Sequence, residues 1–169
     1  QSKLNGIRCQ NDAEAAKSTG GEIFYTIPHI REELSAIYAD YPEAFIDGEA
    51  FNYELRRNLN RLIEIVSVVI KPKDLTDELL AESKKIVQLH VFDGFGFEGI
   101  TPQTPYDERL AAVTKLIKRY KLKHVFAMTS EVVVDEATIM KRLRANKKEG
   151  GEGLMIRWGK CEYKDRKSV

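Results

Sequence analysis

The sequence predicts an α+β fold in which mainly antiparallel sheets are flanked by helices. Short runs rich in β-branched and aromatic residues predict strands at 23–27, 44–46, 87–92, 124–128 and 154–158. Between these runs, apolar residues recur at the three- and four-residue spacing of helices. The two kinds of element alternate irregularly, which favours antiparallel pairing over a regular βαβ arrangement.

Five helices are predicted from apolar spacing and from residues that favour a helix start. The first begins at Pro28, because proline is tolerated in a first turn. The second follows an apolar stripe from 55 to 70 and is closed by Pro72. Thr76 and Pro105 open the next two helices, and Asp135 is the predicted N-cap of the fifth.

Length and charge indicate one globular domain, or two closely packed lobes, without an overall basic field. The chain has 169 residues, with 27 Lys and Arg against 26 Asp and Glu. Its basic residues nevertheless concentrate in the C-terminal third: Lys141, Arg142, Arg144, Lys147, Lys148, Arg157, Lys160, Lys164, Arg166 and Lys167. Charge alone does not decide between a solvated helix face with a tail and a nucleic-acid contact.

Cysteine content and hydropathy limit the setting of the protein. Cys9 and Cys161 are too few for a disulfide framework and lack zinc-ligand spacing, so a reducing, intracellular or cytoplasmic setting is the simplest interpretation. No apolar run is long enough to cross a membrane, and no partner membrane is expected. The isolated residues His29, His90 and His124 are interpreted as structural.

Four short motifs contain residues that can do chemistry, although each has an ordinary structural explanation. In residues 3–8, Asn5-Gly6 predicts a tight turn with positive φ that directs Lys3 and Arg8 into one site. In residues 47–49, two carboxylates at a strand end can hold Mg²⁺ or a ribose hydroxyl. Taken alone, both sequences are more typical of hairpin turns.

The other two motifs are a strand phenylalanine and a carboxylate between glycines. Phe92 lies in an aromatic-rich strand and can stack on a purine base, although core packing explains most such residues. Glu152 lies between two glycines, just before a short apolar strand.

The order and spacing of these motifs resemble the covalent nucleotidyltransferase superfamily of DNA ligases, RNA ligases and mRNA capping enzymes. The family's motifs appear as KLNGIR at 3–8, DGE at 47–49, VFDGF at 91–95 and EGLMIR at 152–157. The resemblance covers nearly the whole chain and is strongest to ATP-dependent DNA ligases. It implies a nucleotidyltransferase (ATP-grasp-like) ligase core that binds ATP and acts on nicked double-stranded DNA.

The resemblance also implies a role for each motif residue. Lys3 would be the nucleophile that becomes covalently linked to AMP. The remaining implied contacts are Gln1 with the adenine edge, Arg8 with ribose or phosphate, Glu49 with ribose or Mg²⁺, Phe92 stacked on adenine, Glu152 with Mg²⁺, and Arg157 and the basic stretch 164–167 with phosphate or the DNA backbone.

Some positions depart from the family pattern. Asn5 replaces the usual aspartate, and the Ser-Arg pair that usually follows the first motif is absent, so that the only cation in 16–20 is Lys17. We expect residues 1–169 to be an adenylation domain truncated at both ends, without the C-terminal OB-fold domain of resembling enzymes, and monomeric. The alternatives are an RNA ligase, a capping-type nucleotidyltransferase, or a non-catalytic nucleic-acid-binding remnant.

Overall fold

The computed structural model describes residues 1–164, and its secondary structure is mixed α and β. The strands are β1 (Ser2–Lys3), β2 (Ile7–Asn11), β3 (Ala16–Lys17), β4 (Phe45–Phe51), β5 (Gln88–Phe95), β6 (Val125–Ala127) and β7 (Gly153–Leu154). The α-helices are α1 (Pro28–Asp40), α2 (Leu59–Ile65), α3 (Asp77–Ile86), α4 (Tyr106–Tyr120) and α5 (Glu136–Lys148). No helix in this part of the chain is long and apolar enough to span a membrane.

Five of the strands form one sheet in the order β3-β2-β4-β5-β6. Its neighbouring strands are antiparallel except for the parallel pair β5 and β6. The other two strands, β1 and β7, form a separate antiparallel ribbon. The predicted α+β class with mainly antiparallel sheets is therefore confirmed.

The helix starts follow local capping chemistry, as predicted. Pro28 occupies the first turn of α1 and Pro105 directly precedes α4. The Thr76 side chain accepts a hydrogen bond from the Leu79 backbone N–H at 3.2 Å, and Asp135 accepts one from the Thr138 N–H at 2.7 Å. These bonds satisfy donors that the first turns of α3 and α5 leave unpaired.

The core lies on one face of the five-stranded sheet. Cys9, Ile46 and Val91, which point to that face from β2, β4 and β5, are fully buried. They belong to one hydrophobic cluster with residues from α1 and α4, including Ile30, Leu34, Val113 and Leu116. Because side chains alternate along a strand, the residues between them point to the opposite face.

Three sequence-based assignments are wrong in extent. In 23–27 only Ile23 forms a bridge, with Lys17, while Phe24 and Ile27 are buried without belonging to a strand. The stripe at 55–70 gives a 3₁₀ turn, Tyr53–Leu55, and a short α2 that ends at Ile65. The following residues include Val66, Val68 and Val69, whose β-branched side chains disfavour helix. The strand predicted at 154–158 is only the two-residue β7.

Strands β1, β2 and β3 were not predicted, because β1 and β3 have only two residues each and β2 has only two apolar residues, Ile7 and Cys9, among five. Asn5-Gly6 is also not a hairpin turn, since β1 pairs with β7 whereas β2 pairs with β3 and β4. Within residues 1–164, neither Asn5 nor Gly6 has a positive φ. The dipeptide instead carries the chain from the ribbon to the five-stranded sheet.

Candidate active site

A cavity of about 1050 Å³ lies between the polar face of the five-stranded sheet and the β1–β7 ribbon. Residues from the sheet and from the ribbon both line it. All seven site residues predicted from the sequence are among its lining residues: Gln1, Lys3, Arg8, Glu49, Phe92, Glu152 and Arg157. The fold therefore brings together residues that are separated by up to 156 positions in the chain.

A register shift in the central strand pair exposes two consecutive residues of β5 to the cavity. Asp47 of β4 is opposite Asp93, whereas the next residue, Gly48, is opposite Val91, so Phe92 is the extra residue of a β-bulge. Phe92 and Asp93 both line the cavity, which simple alternation along a strand does not allow. The bulge therefore adds Phe92 to the polar face of the sheet.

Gly6 allows the Lys3-to-Arg8 segment to approach the sheet closely. A Cβ atom at Gly6 would lie 2.6 Å from the carbonyl oxygen of Ala50 and 2.6 Å from Cγ of Glu49. The glycine is required for contact with β4 rather than for a ligand-facing turn. It brings the segment from Lys3 to Arg8 against Glu49.

Lys3 and Glu152 face each other across the ribbon. Lys3 is paired with Gly153 in the β1–β7 register, and the Glu152 backbone N–H donates to the Lys3 carbonyl oxygen at 3.2 Å. The Lys3 ammonium forms an ion pair with the Glu152 carboxylate, and the two side chains are 43% and 47% exposed. A cation and an anion are therefore held at the cavity surface, accessible to a ligand.

Glu49 is a carboxylate of the cavity whose pKa is raised by its surroundings. Its side chain is half-buried, and burial, followed by the negative charges of Asp47 and Glu152, raises the pKa of Glu49 to about 7. This repulsion would be relieved by a cation placed between the carboxylates. In residues 1–164 no cluster of three or more His, Cys, Asp or Glu side chains is arranged as a preformed metal site.

Asp47 anchors a buried hydrogen-bond network that the sequence did not predict. Arg8 donates to it twice, from Nε to Oδ1 at 3.1 Å and from Nη2 to Oδ2 at 2.8 Å. The Tyr163 hydroxyl also donates to Asp47 Oδ2, at 2.8 Å, and burial raises the pKa of Tyr163, which keeps it a donor. Arg8 was predicted to contact ribose or phosphate, and in this structure its guanidinium is oriented by Asp47.

A second buried ion pair, between Asp93 and Arg109, was also missed. Arg109 Nε donates to Asp93 Oδ1 at 2.7 Å and Nη2 donates to Oδ2 at 2.8 Å, and the Arg109 side chain is 1% exposed. Arg109 Nη1 donates at 3.1 Å to the carbonyl oxygen of Cys161, which holds the C-terminal segment against the sheet. The available signal was an arginine at a helix position that otherwise belongs to the apolar face of α4.

Arg157 lies against the ring of Phe92. Its guanidinium carbon is 5.2 Å from the Phe92 ring centroid and 4.9 Å from that of Tyr106, within cation–π range. It also donates to the side-chain oxygen of Gln1 and, at 3.2 Å, to the Tyr106 hydroxyl. Gln1, Phe92 and Arg157 thus form one corner of the cavity.

Lys17 lies outside this arrangement, whereas the predicted basic stretch 164–167 reaches it through Lys164. Lys17 forms ion pairs with Asp12 at 2.7 Å and Glu14 at 3.4 Å, and it is not among the residues that line the cavity in the described part of the chain. Of the predicted basic stretch 164–167, Lys164 lines the cavity, and residues 165–167 lie outside the described residues.

The histidines have structural environments. The His29 ring nitrogen Nε2 forms a hydrogen bond with the Val87 carbonyl oxygen at 3.1 Å, and Nδ1 of His124 pairs with Glu33 at 2.6 Å. Burial lowers the pKa of His90 to about 4, so this residue is neutral at physiological pH. None of the three lines the cavity in residues 1–164.

The cavity thus contains a lysine ion-paired with a carboxylate, together with an aromatic ring from the sheet. The family model for the ATP-dependent DNA ligase domain matches residues 1–169, and the chain belongs to this family. No curated protein matches the sequence.

Two solved structures share the fold. A Lig E DNA ligase superposes with a TM-score of 0.71 and 22% identity, over 96% of this chain and 56% of that chain. The Chlorella virus DNA ligase–adenylate gives a TM-score of 0.69 and 15% identity, over 97% of this chain and 55% of that chain. The chain therefore spans little more than half the length of each ligase, and at these identities the likeness shows the fold alone.

Proposed function

We propose that this chain is the adenylation domain of an ATP-dependent DNA ligase, in which Lys3 takes AMP from ATP and passes it to the 5′-phosphate of a nick. One observation carries the proposal. Lys3 shares a single cavity with Arg8, Glu49, Phe92 and Glu152, although these residues come from four separate segments. Membership of the ATP-dependent DNA ligase domain family supports the same assignment.

In the first step the neutral amine of Lys3 attacks the α-phosphorus of ATP. A phosphorus–nitrogen bond forms, the bond from that phosphorus to the bridging oxygen breaks, and pyrophosphate leaves. The ordinary pKa of a lysine is about 10.4, so the amine must lose its proton before it can attack. In this structure the Lys3 ammonium is ion-paired with Glu152, and this pair must open before the amine can attack.

The carboxylates of Glu49 and Glu152 fit a divalent cation. Mg²⁺ is commonly bound by one or two carboxylates together with phosphate oxygens and water, and the repulsion that raises the pKa of Glu49 favours an added cation. Bound there, Mg²⁺ would neutralise charge on the phosphates. Competition of such a cation for Glu152 would also weaken its ion pair with Lys3.

The base and sugar would be held by the sheet side of the cavity. Phe92 offers an aromatic face for adenine, with the Gln1 amide beside it. Because the Arg157 guanidinium lies over Phe92 in this structure, it must move aside or form the opposite face of the stack. Arg8, oriented by Asp47, would then contact ribose or the α-phosphate.

Two further steps complete the proposed reaction. A 5′-phosphate oxygen at the nick attacks the adenylate phosphorus, so that the phosphorus–nitrogen bond breaks and Lys3 is released. The 3′-hydroxyl then attacks the activated 5′-phosphate, forms the phosphodiester bond and expels AMP. We also predict, from the sequence alone, an additional OB-fold domain, a monomeric state and an intracellular location.

Nick sealing with matched substrates tests this function. The protein is incubated with α-labelled ATP or GTP, Mg²⁺ and a nicked duplex whose 3′-side strand is DNA or RNA, with Lys3→Arg as control. We expect label from ATP only, sealing of the DNA nick, and neither with Lys3→Arg. Label from GTP would favour a capping enzyme, sealing only with RNA an RNA ligase, and no label a non-catalytic remnant.

A further inference from the structure

Helix α5 has a more positive net charge than α3 or α4. Residues 137–148 contain five basic and no acidic residues. By contrast, α3 combines three acidic with two basic residues and α4 two acidic with four basic, whereas the single acidic residue of α5 is Glu136 in its first turn. Because the whole chain has a net charge of only +1, the rest of the chain is net negative and α5 is a local concentration of positive charge.

Three of these cations form a stripe on the exposed side of α5. Lys141, Arg144 and Lys148 are separated by three and four residues, which places them on one helix face, and all three are exposed. The opposite side, with Ile139 and Leu143, is half-buried. We call Lys141, Arg144 and Lys148 the basic stripe.

Helix stability does not explain the basic stripe. Cations in a last turn favour the helix dipole, but Lys141 and Arg144 lie before that turn. The carbonyl groups at the C-terminal end already have cationic partners, since Arg56 donates to the Glu149 carbonyl oxygen and Arg57 to that of Lys148. In residues 1–164 no member of the stripe forms an ion pair within 4 Å, whereas the neighbouring Arg142 pairs with Glu131 at 2.7 Å.

The stripe is fixed close to the proposed nucleophile. Helix α5 packs on β7, which pairs with β1. The turn between α5 and β7 is held by hydrogen bonds from Gly150 and Gly151 to carbonyl oxygens of α5. Lys148 precedes Glu152, the partner of Lys3, by four positions, so their Cα atoms lie within about 14 Å of each other.

The dimensions of the stripe fit a nucleic-acid backbone. Lys141 and Lys148 are seven positions apart along the helix, which corresponds to a rise of about 10 Å along its axis. One DNA strand carries a phosphate about every 3.4 Å of duplex axis, so that the stripe spans roughly three phosphates. Unpaired exposed cations gain more from such an array than from single counter-ions, because bound counter-ions of the DNA are released.

We infer that the basic stripe of α5 is a binding surface for the phosphate backbone of duplex DNA beside the nick. This inference deepens the proposed function and rests on it, because the duplex must lie within reach of adenylated Lys3. The contact is independent of base sequence and sensitive to salt. It gives the adenylation domain its own hold on the duplex despite a nearly neutral chain.

The test replaces the stripe and compares it with a matched change elsewhere. The variant is K141Q/R144Q/K148Q, and the control is K115Q/K118Q/K123Q, which removes the same charge from exposed lysines of α4 and the residues after it. Binding of a nicked duplex is measured without ATP by fluorescence anisotropy at several salt concentrations. Adenylation is measured separately by intact mass.

We expect the stripe variant to bind nicked duplex at least about tenfold more weakly at moderate salt, with a slope of log affinity against log salt shallower by about 2 to 3. Its adenylation and the DNA affinity of the control should equal those of the unchanged protein. Unchanged DNA binding by the stripe variant, an equal loss in the control, or no duplex binding by the unchanged protein would overturn the inference. DNA binding through the stripe without adenylation would instead overturn the proposed function alone.

Discussion

The two sides of the cavity differ in how firmly they are held. On the sheet side, Asp47 and Asp93 are 1% and 7% exposed and each is held by a two-point contact with an arginine. On the ribbon side, β1 and β7 have two residues each, and α5 behind them has no buried residue. We expect the sheet side to be the more rigid of the two, and the ribbon side, which holds Lys3, to adjust more easily. Changes to the buried ion pairs of the sheet side should therefore lower stability most, whereas changes on the ribbon side should affect chemistry with little loss of stability.

The largest effect on stability is expected for Arg109→Met. This change leaves Asp93 as a buried, unpaired carboxylate, which costs about 3–5 kcal/mol of the free energy of unfolding. Urea denaturation measures the loss. Arg119→Met is the control, because Arg119 forms an exposed pair with Glu98 and should change stability little. Equal losses of unfolding free energy in the two variants would show that the buried Asp93–Arg109 pair stabilises the fold no more than an exposed pair does.

Phe92→Ala tests whether the bulge residue serves ligand binding rather than packing. Loss of stacking should remove about 1–3 kcal/mol of ATP binding, which raises the Kd roughly 5- to 150-fold. Isothermal titration with ATP gives this value, and thermal unfolding should show only a moderate loss. Phe95→Ala is the matched control, since Phe95 is half-buried on the same strand but stacks on Phe45, outside the cavity lining. A collapsed fold with unchanged ATP affinity would favour core packing of Phe92.

Glu49→Gln should stabilise the ligand-free protein while impairing adenylation. Glu49 has a pKa of about 7 in the fold against an ordinary 4.5, so its contribution is most favourable below pH 4.5 and is lost as the pH rises towards 7. Removing the charge should stabilise by about 1–2 kcal/mol at pH 8, after allowance for its partial exposure, and by almost nothing at pH 4. Unfolding free energies of both proteins across this range give the difference. A difference independent of pH would contradict the assigned electrostatics.

The sequence predicted the site better than it predicted the elements that position it. The order and spacing of the motifs are characteristic of the whole fold, and they therefore predicted that the seven site residues lie together. The local patterns used to assign helices and strands do not contain this information. Asp93, Arg109 and Tyr163 were missed because their importance depends on partners 16 and 116 positions away along the chain. Likewise, the segment around Phe24 and Ile27 is apolar because it is buried, and burial alone does not determine whether a segment forms a strand.

The smallest change in stability is expected for Glu152→Gln on the ribbon side. The ion pair with Lys3 is nearly half exposed, so its loss should cost less than about 1 kcal/mol of unfolding free energy. Adenylation should nevertheless fall sharply if Glu152 binds the divalent cation. Thermal unfolding and intact mass after ATP and Mg²⁺ separate the two effects. A large loss of stability with adenylation unchanged would reverse the contrast between the two sides of the cavity.

The residue that carries AMP after reaction with ATP shows whether Lys3 is the nucleophile. After incubation with ATP and Mg²⁺, the protein is digested and the AMP-bearing peptide is sequenced by mass spectrometry. We expect one AMP on Lys3 and none on the Lys3→Arg variant, because a guanidinium offers no neutral amine for attack. AMP on Lys17 or Lys164, or an unmodified Lys3 in a protein that still seals nicks, would contradict this assignment.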